Sequence, residues 1–101
     1  MYEIKNYING QFVDAQDSDT VKNSNPATGQ SIGTIPVSKS KDVEQAVLAA
    51  KEAFKTWSKT SPQERFRVMN KIADLIESKL DDLALAETID NGKPLKLSKR
   101  V

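Results

Sequence analysis

Ser31-Ile32-Gly33-Thr34-Ile35-Pro36-Val37-Ser38-Lys39-Ser40-Lys41-Asp42-Val43-Glu44-Gln45-Ala46-Val47 is the stretch in which the chain changes character. Up to Val37 it reads as extended backbone. From Ser40 the apolar period becomes 3.6. Val43, Ala46, Val47, Ala50, Phe54 and Trp57 then fall on one stripe, the mark of an amphipathic helix. Asp42 and Glu44 sit in its first turn, where the helix dipole favours acids. Strands therefore lie on the amino-terminal side of this junction and helices on the other.

Working back from the junction, Ser31–Val37 needs a partner, and Thr20–Ser24 is the natural one. Asn25-Pro26-Ala27-Thr28-Gly29 joins them. Pro26 presets φ, the Asn25 side chain can close an Asx bond, and Gly29 supplies a left-handed residue. Further back, Tyr7-Ile8-Asn9-Gly10-Gln11-Phe12-Val13 places Asn-Gly between apolar β-formers, the strongest short-range hairpin signal. Between the two hairpins runs the acidic loop Asp14–Asp19, which has no means of ordering itself by its own contacts.

Working forward, Ser61-Pro62-Gln63-Glu64 is a capping box with Pro at the first helical position. Ser61 should accept the Glu64 amide and the Glu64 carboxylate should reach back. Met69, Ile72, Ala73, Ile76, Leu80 and Leu83 continue an apolar face. About thirty residues is long for one uncapped helix, so a break belongs near Ser78–Asp81, with a third helix running to Asp90. Asn91-Gly92 closes it. Pro94 reads as the first residue of a fourth helix, which stops at Val101. The expected class is α+β: β-hairpins over residues 4–37, helices over 40–92, and the start of a truncated helix over 94–101.

Composition narrows the chemistry. Leu, Ile, Val and Phe number 24 of 101 residues, above the roughly 20% below which chains fail to collapse. The 15 Lys+Arg against 14 Asp+Glu leave a net charge of +1, which argues against a nucleic-acid binder driven by bulk electrostatics. No apolar run approaches membrane-spanning length, and the first twenty residues carry no signal-peptide pattern. There is no Cys and no His, so thiol nucleophiles, thiolate zinc sites and imidazole-based triads are excluded from this segment. Gly10, Gly29, Gly33 and Gly92 form no phosphate-binding fingerprint. Helices with apolar stripes and too few strands to cover them, ending on an unfinished basic helix, suit a piece of a larger protein.

Five motifs stand in register along the chain: Tyr7-Ile8-Asn9-Gly10, Asn25-Pro26-Ala27-Thr28-Gly29, Ala53-Phe54 with Trp57, Pro62-Gln63-Glu64-Arg65, and Glu87-Thr88-Ile89-Asp90-Asn91-Gly92-Lys93-Pro94. Together, over residues 4–101, they resemble the amino-terminal end of the NAD(P)-dependent aldehyde dehydrogenases. Ser61–Ala73 and Asp90-Asn91-Gly92-Lys93 resemble the branch acting on 2-aminomuconic and hydroxymuconic semialdehydes.

The resemblance implies that these residues belong to the α/β Rossmann-like cofactor-binding domain of a larger parent, packing on its outside as scaffold. In such a parent a Cys thiolate attacks the aldehyde, the thiohemiacetal gives hydride to NAD or NADP, and a Glu activates water. All of those groups lie beyond the segment, so no catalytic and no cofactor-binding residue is assigned here. The implied parent is a cytoplasmic homodimer or homotetramer, whose partners are an aldehyde and the remainder of the same domain.

In some members a monovalent cation, K+ or Na+, is bound by main-chain oxygens before the Asn-Pro turn and by an Asp. The matching positions are Asn23, Ser24 and Asp90, and a hard cation suits such oxygen donors. Against that stands the plainer role of Asp90 as a solvated acid at a helix end, where the dipole mildly disfavours it. Phe54 and Trp57 lie on the helical stripe and are expected in the core. Lys93, Lys96, Lys99 and Arg100 read as a solvated face, and Glu77, Asp81 and Asp82 as helix-junction acids with N-cap and first-turn roles. Two other functions are alternatives to the dehydrogenase segment: a stand-alone interaction module using the apolar helix face, and a basic-helix nucleic-acid binder.

Overall fold

The computed structural model describes residues 2–100. In chain order the elements are β1 (Tyr2–Glu3), β2 (Asn6–Ile8), β3 (Gln11–Val13), β4 (Thr20–Ser24), β5 (Ser31–Pro36), α1 (Ser40–Trp57), α2 (Pro62–Ser78), α3 (Leu80–Asn91) and α4 (Leu95–Ser98). The α+β order is the one the sequence predicts. The chain divides into two units. One holds the residues up to Asn23 with Ser31–Lys59, and the other holds Ser24–Gln30 with the residues from Thr60 onward.

In the first unit, β2 and β3 form the expected antiparallel hairpin, pairing Asn6 with Val13, Tyr7 with Phe12 and Ile8 with Gln11. Asn9 and Gly10 both have positive φ, 53° and 78°, as a type I′ turn requires. The Tyr7 and Phe12 rings meet edge to face with centroids 5.1 Å apart. A three-stranded sheet has the order β1-β5-β4. Its parallel member, β1, is a strand that the sequence reading omits, because two residues are too few to show a period. β1 pairs Tyr2 with Gly33 and Glu3 with Thr34, and the Ile4 N–H extends the ladder to the Thr34 carbonyl at 3.0 Å.

The acidic loop is ordered from outside. The Lys39 ammonium bonds Asp17 at 2.7 Å and Asp19 at 3.2 Å. These two carboxylates, Asp17 first, raise the Lys39 pKa. Asp42 accepts the main-chain N–H groups of Lys39 and Gln16, each at 2.9 Å. Those two bonds, Lys39 first, hold its carboxyl below the usual carboxylate range. Asp42 is buried, at 4% exposure.

In the second unit, Ser61 caps α2 by accepting the Glu64 N–H at 3.1 Å, with Pro62 at the first helical position. The other half of the expected box is absent. The Glu64 carboxylate pairs instead with Arg67 one turn on. Lys79, at φ −112° and ψ 17°, breaks the helical run between α2 and α3, inside the predicted window. Asp81 and Asp82 occupy the first turn of α3 as expected, but the N-cap position itself belongs to Lys79. Pro94 precedes α4 as its N-cap instead of opening it, since its ψ of 134° is not helical. α4 is one turn long and joins α3 through the Thr88 and Ser98 hydroxyls, 3.0 Å apart, and through Lys99 on Asp81 at 2.8 Å.

Among the described residues the buried apolar side chains are Ala15 and Ala84. Phe54 and Trp57, expected in a core, are 65% and 44% exposed. The stripe has the expected period, but both side chains stay well exposed among the described residues. No helix of the described residues is long and apolar enough to cross a membrane.

Candidate functional site

The most constrained turn in the second unit is Asn25–Gln30. The Asn25 side-chain carbonyl accepts the Ala27 N–H at 2.9 Å, closing the expected Asx turn. The Asn25 main-chain carbonyl accepts Gly29 N–H at 2.7 Å, and the Asn25 N–H donates to Gln30 at 2.9 Å. This turn is seated on the carboxyl end of α3. There Gly92, at φ 80°, is the left-handed C-cap and donates to the Thr88 carbonyl at 3.0 Å. A Cβ at Gly92 would stand 3.2 Å from the Pro26 Cγ, so the proline ring occupies the space that glycine leaves.

The expected cation ligands are distributed accordingly. Ser24 precedes this turn and Asp90 lies two residues before Gly92, both in the second unit. Asn23 is the last residue of β4's share of the first unit. No group of three or more His, Cys, Asp or Glu side chains able to hold a metal occurs among the described residues. Of the basic residues considered as a patch, Lys93 pairs with Glu87 at 3.2 Å and Lys99 with Asp81, which leaves a solvated, ion-paired face.

In the first unit the hairpin and α1 border an open apolar groove of about 500 Å³, lined by Tyr7, Ile8, Gly10, Ala46, Ala50 and Ala53 among others. Its polar side chains are Tyr7 and Asn9, and the rest of the lining is apolar or glycine. The residues present also do not fit a dinucleotide. Gly10 and Gly29 serve turns, Gly92 a helix cap, and Gly33 a close approach of the Tyr2 carbonyl, and the four form no phosphate-binding fingerprint. Asp42 is the residue whose importance sequence reading missed. Its position three residues after Lys39 signals a local cap, but its second bond, to Gln16, depends on tertiary placement.

Residues 12–100 match the model of the aldehyde dehydrogenase family. The chain belongs to the aldehyde dehydrogenase family. It is 48% identical over 96 residues to a malonate-semialdehyde dehydrogenase of Bacillus pumilus, which covers 95% of this chain and 20% of that protein. Its backbone is similar to an NAD-dependent aldehyde dehydrogenase from Sinorhizobium meliloti, with a TM-score of 0.92, 36% identity, and coverage of 97% of this chain and 20% of that one. It is likewise similar to a betaine aldehyde dehydrogenase from Staphylococcus aureus in complex with NAD+, with a TM-score of 0.90, 34% identity, and coverage of 95% and 20%. This aldehyde dehydrogenase chain thus spans about a fifth of the length of the relatives it matches.

Proposed function

We propose that this chain is the amino-terminal scaffold segment of an aldehyde dehydrogenase, and that the whole enzyme oxidises a semialdehyde to a carboxylic acid with NAD or NADP. The catalytic Cys and Glu of the reaction belong to the remaining four-fifths. The chemistry of the whole is thiohemiacetal formation at that Cys, followed by hydride transfer. The segment supplies capped helices and a hairpin around which that body is built. What carries this reading is the agreement of sequence and backbone with aldehyde dehydrogenases along nearly the whole chain, in a segment with no Cys or His. The family resemblance extends the proposal to a cytoplasmic homodimer or homotetramer.

A chimera tests it. These 101 residues replace the matching fifth of the Bacillus pumilus relative, and formation of reduced cofactor from malonate semialdehyde is followed by absorbance. An active chimera is expected, and no turnover from the 101-residue chain alone. A folded chimera without activity, or turnover by the chain alone, would count against the proposal.

We also propose a monovalent cation, K+ or Na+, held by the Ser24 carbonyl and the Asp90 carboxylate, with Asn23 as the further carbonyl that the resemblance names. The seating of the Pro26 turn against Gly92 favours it, because the turn after Ser24 arrives at the negative end of the α3 dipole, where a cation is stabilised. In the chimera, Asp90→Asn should remove the extra thermal stability that K+ or Na+ gives over tetramethylammonium at equal ionic strength. Equal ionic strength cancels ordinary screening. A difference between salts that survives the substitution would exclude Asp90 as the ligand.

A further inference from the structure

Two Asn-Gly pairs occur in the chain, Asn9-Gly10 and Asn91-Gly92, and both asparagines are exposed. Besides favouring turns, Asn-Gly is a chemically reactive pair. The glycine nitrogen can attack the side-chain carbonyl carbon of the asparagine, because glycine has no Cβ to obstruct the approach. The two pairs are held differently. Asn91 is the last residue of α3, and its side-chain carbonyl accepts the Lys93 N–H at 2.8 Å. The Gly92 N–H donates to the Thr88 carbonyl at 3.0 Å, and the Pro26 ring stands against Gly92. Both reacting groups are pinned there. Asn9 lies instead in a two-residue loop. The hairpin ladder closes at Ile8 with Gln11, which leaves the Gly10 N–H outside it. A Cβ at Gly10 would meet nothing within 4 Å, so this tip has room to move. Hairpin tips open at lower free energy than packed elements.

We propose that Asn9 is a site of spontaneous covalent modification, deamidation through a succinimide, from which Asn91 is protected. The Gly10 nitrogen bonds to Asn9 Cγ and the Cγ–Nδ2 bond breaks. The side-chain amide leaves as ammonia, carrying the proton that the Gly10 nitrogen gives up. Water then opens the ring at one of its two carbonyls. One opening leaves aspartate at position 9, and the other leaves isoaspartate, with the main chain rerouted through Cβ. Nothing is oxidised or reduced. Aspartate keeps the hairpin, since Asp-Gly suits a type I′ turn. Isoaspartate adds a main-chain atom to the loop and so disturbs the pairing of Ile8 with Gln11 and the edge-to-face contact of Tyr7 with Phe12. Either product adds a negative charge to the lining of the apolar groove beside α1.

The chimera is incubated in mildly alkaline buffer, folded and in urea, and the peptides carrying each pair are followed by mass spectrometry. Backbone fragmentation separates isoaspartate from aspartate. In urea the two pairs should convert at similar rates, since the local sequence chemistry is the same. In the folded protein, conversion at position 9 should exceed that at position 91 by about tenfold or more, because the loop tip opens more readily than the packed helix end. Asn9→Gly, which suits the same turn, should abolish the early product and leave the slow one at position 91 unchanged. Equal rates at the two pairs in the folded protein, or faster conversion at Asn91, overturn the proposal. So does a folded protein whose Asn9 stays intact while both pairs convert in urea, since the turn would then be protective. Activity is not read, so the outcome is independent of the functional reading above.

Discussion

The Asp42 carboxylate, in the first turn of α1, accepts the main-chain N–H of Gln16 at 2.9 Å across 26 positions of sequence. Its other oxygen takes the N–H of Lys39 at the same distance. One buried acid thereby satisfies an orphan donor at the helix start and ties down the acidic loop, whose own closure is the Ser18 N–H bond to the Ala15 carbonyl at 2.8 Å.

Asp42→Asn in the chimera should lower the thermal midpoint at neutral pH, since an amide offers one neutral acceptor where two charge-assisted bonds existed. The pH dependence has a definite sign. The folded-state pKa of Asp42 is lowered, so its contribution is fully present above the unfolded value of about 3.9 and is lost as pH falls through the lower folded value. The gap between wild type and variant should therefore narrow in acid below about pH 4. A gap that is constant with pH would show that the charge is immaterial.

Gly33→Ala should open the pairing of β1 with β5. Gly33 has φ 153°, and an added Cβ would collide with the Tyr2 carbonyl in the facing strand. Holding an L-residue in such backbone costs about 1–3 kcal/mol, and the collision adds to that. Hydrogen exchange is the direct check, with faster exchange expected at the Ile4 amide, which bonds Thr34. Unchanged protection there would mean that the strand pairing tolerates a side chain.

Gly92→Ala should destabilise the end of α3 for two separable reasons. A left-handed L-residue costs roughly 1–2 kcal/mol, and the new methyl presses on Pro26 at 3.2 Å. Pro26→Ala combined with Gly92→Ala should recover the second part and leave the first. A double-mutant cycle isolates the coupling, and strict additivity would mean that the proline ring is not in the way.

Ser61→Ala should cost about 0.5–2 kcal/mol by removing the acceptor for the Glu64 amide, and Ser61→Asp should restore most of it. Glu64→Gln should cost less. Its carboxylate pairs with Arg67 on an exposed face, and surface pairs of this kind contribute about 0–1 kcal/mol. Denaturant midpoints of the chimera variants decide the order.

What the sequence by itself determined was local. The Asn9-Gly10 turn, the Asn25 Asx turn, the Ser61 cap with Pro62, the break at Lys79 and the Gly92 stop each depend on the φ/ψ or hydrogen-bonding capacity of residues a few positions apart, and each is legible for that reason. The five motifs in register likewise pointed to the family, because they are carried by short spacings. Tertiary structure alone decided what depends on distant backbone: the two-residue β1, which exists only because Gly33 leaves room for Tyr2, the ordering of the Asp14–Asp19 loop by Lys39 and Asp42, and the seating of Pro26 on Gly92. It also decided that Phe54 and Trp57 are half-exposed or more in this chain. Period marks which face of a helix is apolar, and only the mass packed against that face decides whether it is buried.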